Sequence, residues 1–276
     1  MSRIEKRFAQ LKADKRAGLV AYISAGDPNP TLGYEILKGL PAAGADLIEL
    51  GMPLTDPMAD GPSVQLAGQR ALKAGITVNA TFDMVRRFRK EVDNDTPIVL
   101  MGYYNLVYQR GVEKFCKDAA AAGVDGFILV DLPPEEADAL KPHAVANGID
   151  TVLLTAPTTD DKRLPAVLKF SSGFVYFVSV LGITGTKSAS EESVRVHVER
   201  IKRHTKLPVG VGFGIKTPEQ AAAVARHADS AVVGSAIVDQ VKVALDAQGN
   251  PKPGLVPGVL GFVRSLAEGV RSVRKA

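Results

Sequence analysis

The sequence predicts an α/β fold: a (β/α)8 TIM barrel with an extra N-terminal helix and a C-terminal helix. Three observations carry that prediction. A phrase of small residues, Gly, Asp and a short apolar run recurs along the chain. Further apolar runs of strand length fill the gaps between its copies and bring the strand-helix units to eight. Those units spread over about 250 residues, the usual span of such a barrel. A doubly wound sheet, the rival architecture, would usually have fewer strands and no reason to continue this evenly.

Taken in order, Ser2-Arg3-Ile4-Glu5 matches a capping box, and Ile4, Phe8 and Leu11 share one helical face. A helix over about 2–13 therefore precedes the barrel. Leu19 to Ile23 is the first strand, and Leu32, Ile36, Leu37 and Leu40 then repeat at helical spacing. The first copy of the phrase follows: Ala42-Ala43-Gly44-Ala45-Asp46-Leu47-Ile48-Glu49-Leu50. In this pattern a helix ends, Gly takes the left-handed position beyond it, and the chain turns straight into a strand. Phe82, Val85 and Phe88 mark the next helix, and Pro97 to Met101 the third strand. The phrase returns at Ala121 to Val130 and at Ala146 to Leu154, giving the fourth and fifth strands. Phe174 to Val178 and Pro208 to Val211 are the sixth and seventh. The last copy, His227 to Val233, has Ala228 in the Gly position and leads into the eighth. Such continuous apolar runs suit parallel strands buried on both faces. A Pro/Gly-rich stretch from Gln248 to Gly258 leads to a last helix with Val259, Phe262, Val263, Leu266, Val270 and Val273 on one stripe. Packing on the barrel is the commoner meaning of such a stripe, and contact of its basic other face with an anionic membrane is the alternative. The chain thus reads as one barrel domain over 1–276, with a C-terminal extension over about 248–276.

Composition excludes several classes. The chain has 276 residues, 46% of them hydrophobic and 23% charged, so a sizeable core is available and global disorder is not in question. The net charge of +4 is small and spread out, and with 6% aromatic residues and no Trp it argues little for nucleic acid. The single cysteine, Cys116, cannot form an internal disulfide, which fits a reducing compartment. It lies in a helical stretch and reads as core. Met1 to Lys12 is charged and lacks an apolar signal core, and no run approaches the roughly 18 apolar residues of a spanning helix. The expectation is a cytoplasmic protein with no membrane contact. The four histidines show no metal spacing, and there is neither a Gly-x-Ser-x-Gly elbow nor a Walker loop, so no metal is expected.

In a barrel the chemistry lies at the C-terminal ends of the strands. Glu49 stands out there, a carboxylate inside the apolar run Leu47-Ile48-Glu49-Leu50-Gly51. Strand alternation puts it on the face of Leu47, opposite Ile48 and Leu50. Two readings stand: a mouth-facing acid with a raised pKa, suited to acid/base work, or a structural Glu paired with Lys or Arg. Asp56 and Asp60 follow in a proline-set loop, Pro53 to Pro62. Asp-Pro and Asp-Gly pairs are commonly turn chemistry, but two carboxylates closing one strand favour a functional pair. Late in the chain, Gly210-Val211-Gly212-Phe213-Gly214-Ile215 and Val233-Gly234-Ser235-Ala236 close adjacent strands. Gly-rich turns after strands seven and eight are a recurring phosphate site in barrels. The segment Leu181 to Ser190 is rich in small residues and reads either as a lid or as a surface loop. Together these features suggest acid/base chemistry on a phosphorylated small molecule.

At this point the residues resemble the tryptophan synthase alpha chain family. The most specific stretch runs from Glu49 through Gly51-Met52-Pro53-Leu54-Thr55-Asp56-Pro57-Met58-Ala59-Asp60-Gly61-Pro62. Gly26-Asp27-Pro28, Met101-Gly102-Tyr103-Tyr104-Asn105, Gly182-Ile183-Thr184-Gly185, Gly212-Phe213-Gly214-Ile215 and Gly234-Ser235-Ala236-Ile237 also match, in family order. Leu54, Thr55 and Ile183 depart from the commoner family residues, Leu54 on the partner-facing loop. The resemblance implies a lyase that cleaves indole-3-glycerol phosphate to indole and glyceraldehyde 3-phosphate. It implies Glu49 as general acid/base and Asp60 as acceptor of the indole N–H. Gly185, Gly214, Gly234 and Ser235 would grip the phosphate, and Thr184 would close against Asp60. Tyr22, Leu100 and Tyr176 would line the indole pocket, and Asp56 and Asn105 would face a beta subunit in an α2β2 heterotetramer. No cofactor is implied in this chain, and pyridoxal phosphate is expected only in the beta partner. The rival readings are an isomerase or epimerase of a sugar phosphate, and a largely regulatory binding subunit.

Overall fold

The chain is seen in a computed structural model that describes residues 1–179, 190–212 and 214–274. Its first helix, α1 (Arg3–Ala13), opens with the expected capping box: the Ser2 side chain accepts from the Glu5 amide, and the Glu5 carboxylate accepts from the Ser2 amide. The recurring phrase folds as its residue types dictate. Helix α2 (Pro30–Ala43) closes on Gly44 with φ 104°. Gly123 closes the helix over Val112–Ala122 in the same way, with φ 92°. Only Gly takes this conformation without a Cβ penalty, so each helix turns at once into the next strand.

The strands are β1 (Gly18–Ser24), β2 (Leu47–Gly51), β3 (Ile98–Gly102), β4 (Gly126–Leu129), β5 (Asp150–Thr151), β6 (Leu154–Thr155), β7 (Val175–Val178), β8 (Val209–Gly212) and β9 (Ser230–Val233). They pair in parallel in the order β5-β4-β3-β2-β1-β9-β8-β7-β6. The two ends of that order, β5 and β6, are consecutive pieces of one stretch, parted only by Val152 and Leu153. The Val152 amide reaches back to Phe127 at 2.9 Å, and the Tyr176 amide reaches Leu153 at 3.2 Å. The sheet therefore closes on itself as a (β/α)8 barrel, with the expected fifth strand split in two.

Alternation along the strands sorts side chains into two layers. Val20, Leu47, Val99, Ile128, Phe174 and Val232 fill the interior, and Ile4, Phe8 and Leu11 of α1 plug it from below. Leu19, Ala21, Ile48, Leu50 and Ile98 face outward to the helices. The last helix, over Leu255–Arg271, buries Val259, Val263, Leu266 and Val270 while packing on α2 and on the helix over Pro218–Ala225. Its stripe thus belongs to the barrel. Among the described residues, no helix is long and apolar enough to cross a membrane.

The Asp of the phrase has a structural job. Asp46, just before β2, accepts the Leu19 amide of neighbouring β1 at 2.9 Å and is clasped by Arg16 at 2.7 Å. Asp125, before β4, takes the Ile98 amide of β3 at 2.7 Å together with Arg3 and Arg89. Asp229, before β9, takes the Val209 amide of β8 at 2.8 Å and meets Lys202. Asp150 differs, being held by the Ser2 hydroxyl at 2.8 Å.

Candidate active site

A cavity of about 310 Å³ opens at the C-terminal ends of the strands. Its walls are mostly the inward apolar side chains that alternation selects, among them Met101, Ile128, Leu154, Val178 and Val232. Into this apolar space the chain brings Glu49 and Asp60.

Glu49 shares its inward face with Leu47, while Ile48 and Leu50 point to the helices. It is 3% exposed, and its Oε2 has no hydrogen-bond partner among the described residues. No cation pairs with it among them, so the structural salt-bridge reading is set aside. Burial, then the nearby Asp60 charge, pushes its pKa up to about 8. At neutral pH it is largely a protonated acid.

Asp60 is placed by its loop. The Met52 amide hangs the loop on Met101 at 2.7 Å, and the Asp60 amide bonds Pro57 at 3.0 Å. Gly61 then caps a helix over Pro62–Lys73, with Pro62 at its first position. The Ala59 amide donates to the Tyr103 hydroxyl at 2.9 Å, and that hydroxyl also bonds the Asp60 carboxylate. Burial raises the Asp60 pKa to about 6 against the lowering effect of Tyr103. The two carboxylates thus sit apart on the pH scale, one mostly protonated and one mostly ionised at pH 7, as paired acid and base roles require. At the base of the same helix, Arg70 grips buried Asp27 with two bonds of 2.7 and 2.8 Å, fastening the end of β1 to it.

Tyr22 and Tyr176 line the cavity, and burial raises both phenols well above their ordinary value, reinforced by nearby carboxylate charge. They remain neutral. Gly214, with φ 78°, and Gly234 and Ser235 also line the cavity, Gly234 packing beside Tyr22, and Ser235 starts the helix over Ser235–Val243. That helix end offers free backbone amides to an anion.

Leu100 is a correction. It was expected to line the pocket, but it is fully buried in the outer layer among the helices, and its neighbour Met101 lines the cavity instead. Successive strand residues point to opposite faces, so a shift of one residue exchanges the two layers. Asp56 and Asn105 are both exposed and away from the cavity wall, Asp56 accepting from Thr55 at 2.8 Å. Thr184 and Gly185 lie outside the described residues. Tyr103 is legible in the sequence as a polar residue closing its strand, but its link to the Asp60 loop joins residues 44 positions apart and exists only in space. Among the described residues, no group of three or more His, Cys, Asp or Glu could hold a metal.

Comparisons with known proteins now bear on this geometry. A family model described as tryptophan synthase alpha chain matches residues 8–252. The tryptophan synthase alpha chain of Granulibacter bethesdensis is 56% identical over 274 residues, covering 99% of this chain and 98% of the relative. The solved alpha subunit of tryptophan synthase from Legionella pneumophila str. Paris has a TM-score of 0.90 at 38% identity, covering 99% of this chain and 100% of that one. A chain of Mycobacterium tuberculosis tryptophan synthase has a TM-score of 0.87 at 34% identity, covering 98% of each.

Proposed function

The chain belongs to the tryptophan synthase alpha chain family, and from that premise we propose how its residues divide the work. The family reaction is cleavage of indole-3-glycerol phosphate to indole and glyceraldehyde 3-phosphate, a lyase step of tryptophan biosynthesis. The alpha chain carries no cofactor, and pyridoxal phosphate belongs to its beta-subunit partner. The sugar-phosphate isomerase reading is not favoured.

Protonated Glu49 delivers a proton to indole C3, which makes the ring electron-poor. The resulting carboxylate takes the proton of the glycerol hydroxyl next to the ring as the C–C bond breaks, so the enzyme's proton inventory returns to its start. Ionised Asp60 accepts the indole N–H and stabilises the positive charge developing on the ring. Tyr22 and Tyr176, with Met101 in place of Leu100, form the apolar seat of the indole. Gly214, Gly234 and Ser235, joined on the family resemblance by Gly185, hold the phosphate and so orient the reacting bond, and Thr184 has the role of closing against Asp60. The observation that carries this reading is the buried Glu49 oxygen at the cavity wall, without a hydrogen-bond partner among the described residues.

Asp56 and Asn105 form part of the face that meets the beta subunit in an α2β2 assembly. Supporting this, the same loop exposes 83% of Met58, and the helix over Tyr104–Arg110 exposes 70% of Tyr108. Residues 1–276 act as one barrel domain, in the cytoplasm. The test is indole release from indole-3-glycerol phosphate, with and without a beta chain. Slow release that rises sharply with beta is expected. No indole in either mixture would overturn the reading.

A further inference from the structure

Among the described residues lining the cavity, the charged side chains are Glu49, Asp60 and Lys216. The two acids come from β2 and the loop after it, and Lys216 follows β8. In the ring β1 and β9 lie between those strands, so the acids and the ammonium-bearing residue belong to well-separated sectors of the mouth. Lys216 also stands on a fixed base. Two residues earlier Gly214 turns with φ 78°, the Lys216 amide donates to Gln220 at 2.7 Å, and the Thr217 side chain caps the helix over Pro218–Ala225. On the next strand, Ser235 opens its helix toward the same part of the cavity.

Backbone amides and a serine hydroxyl carry partial charges, whereas a lysine carries a whole one. We propose that Lys216 is a substrate-binding residue, the cation that completes the phosphate end of the cavity and makes capture of a phosphorylated substrate depend on ionic strength. This rests on the reading that the phosphate sits by Gly214, Gly234 and Ser235. The sign pattern suits a substrate with a dianion at one end and a ring N–H at the other. An exposed cation at the rim also draws anions toward the mouth before contact, an attraction that salt screens.

The test uses Lys216→Gln, Lys216→Arg and Ser235→Ala in the full chain, with glycerol 3-phosphate and indole as separate probes. Lys216→Gln is expected to weaken glycerol 3-phosphate binding about tenfold, in line with a lost charge-assisted hydrogen bond. It should raise KM for indole-3-glycerol phosphate more than it lowers kcat, and flatten the salt dependence of both affinities. Lys216→Arg should restore most of the binding. Indole affinity should not move, and an equal loss for indole would make Lys216 merely structural and overturn the proposal. If Ser235→Ala weakens glycerol 3-phosphate binding and Lys216→Gln does not, the proposal falls while the phosphate reading stands. If neither variant weakens it, the phosphate reading falls, and the proposal with it.

Discussion

The two ends of the barrel use the same functional group in opposite ways. At the strand starts, Asp46 and Asp125 are as buried as Glu49 at the strand ends. Each of those aspartates takes a neighbouring strand's amide and at least one arginine. Glu49 takes neither a cation nor a bond at Oε2 among the described residues. A buried carboxylate with its partners supplied locks strands in register. A buried carboxylate left without them holds its proton and stays ready to give it away. At the closed end these aspartates stabilise, and at the open end, beside the paired Asp27, Glu49 gives up stability for chemistry.

The strongest way to break this comparison is Glu49→Gln. It should lower turnover by about a thousandfold, the middle of the range for a lost general acid/base, while binding of a phosphate ligand survives. Near-normal indole release would remove Glu49 from its role. The same variant should be more stable than the wild type where the wild-type group is forced to ionise. The native pKa of about 8 lies above the ordinary 4.5. The contribution of Glu49 to stability is therefore full below pH 4.5 and is lost progressively as pH rises to about 8. The Tm advantage of the Gln variant should thus be larger at pH 8 than at pH 5, with a free-energy scale on the order of a few kcal/mol. An advantage that shrinks with rising pH would contradict the assignment.

The mirror experiment is Asp125→Ala. It strands Arg89, whose side chain is only 9% exposed, and the Ile98 amide. The expected cost is about 3–5 kcal/mol in urea unfolding, with kcat of the folded fraction unchanged. Loss of activity without loss of stability would mean the two ends are not separate in function. A gentler test is the pH profile of kcat/KM in the wild type. It should rise through about 6 as Asp60 ionises and fall through about 8 as Glu49 loses its proton. A profile flat across that window would deny the division of labour. The smallest effect is expected from Tyr103→Phe. Losing the hydroxyl removes a bond that holds the Asp60 pKa down, so the acid limb should move up by about one pH unit or less. The alkaline limb should stay in place.

Much of this contrast was legible in the sequence. The phrase ending in Asp46, Asp125 and Asp229 marked the strand starts, because left-handed glycine and short apolar runs are local signals. Glu49 stood out because one charge in an apolar run is costly wherever it points. Leu100 shows where such signals fail. Ile98-Val99-Leu100-Met101 is apolar on both faces, so alternation fixes a period and leaves the phase open. Only the register of Leu100 against Leu50 and Phe127 settles which residue looks inward. The partnership of Tyr103 with Asp60 was hidden for another reason, since it joins the ends of two paired strands that lie far apart in the chain. The split between β5 and β6 was equally unreadable in the run from Ile149 to Leu154.

That split has a consequence for how the molecule breathes. β1 runs in register against β2 from Val20 to Ser24, whereas only Asp150 and Thr151 pair in register with β4 and only Leu154 and Thr155 with β7. The seam has the fewest registered pairs in the ring, so amide protons there should exchange with solvent ahead of those in β1 and β2. Leu154 and Ala156, at its upper end, also line the cavity. A ligand packed against that wall acts as a hoop on the barrel, and the slowing of exchange at the seam becomes a gauge of how full the pocket is.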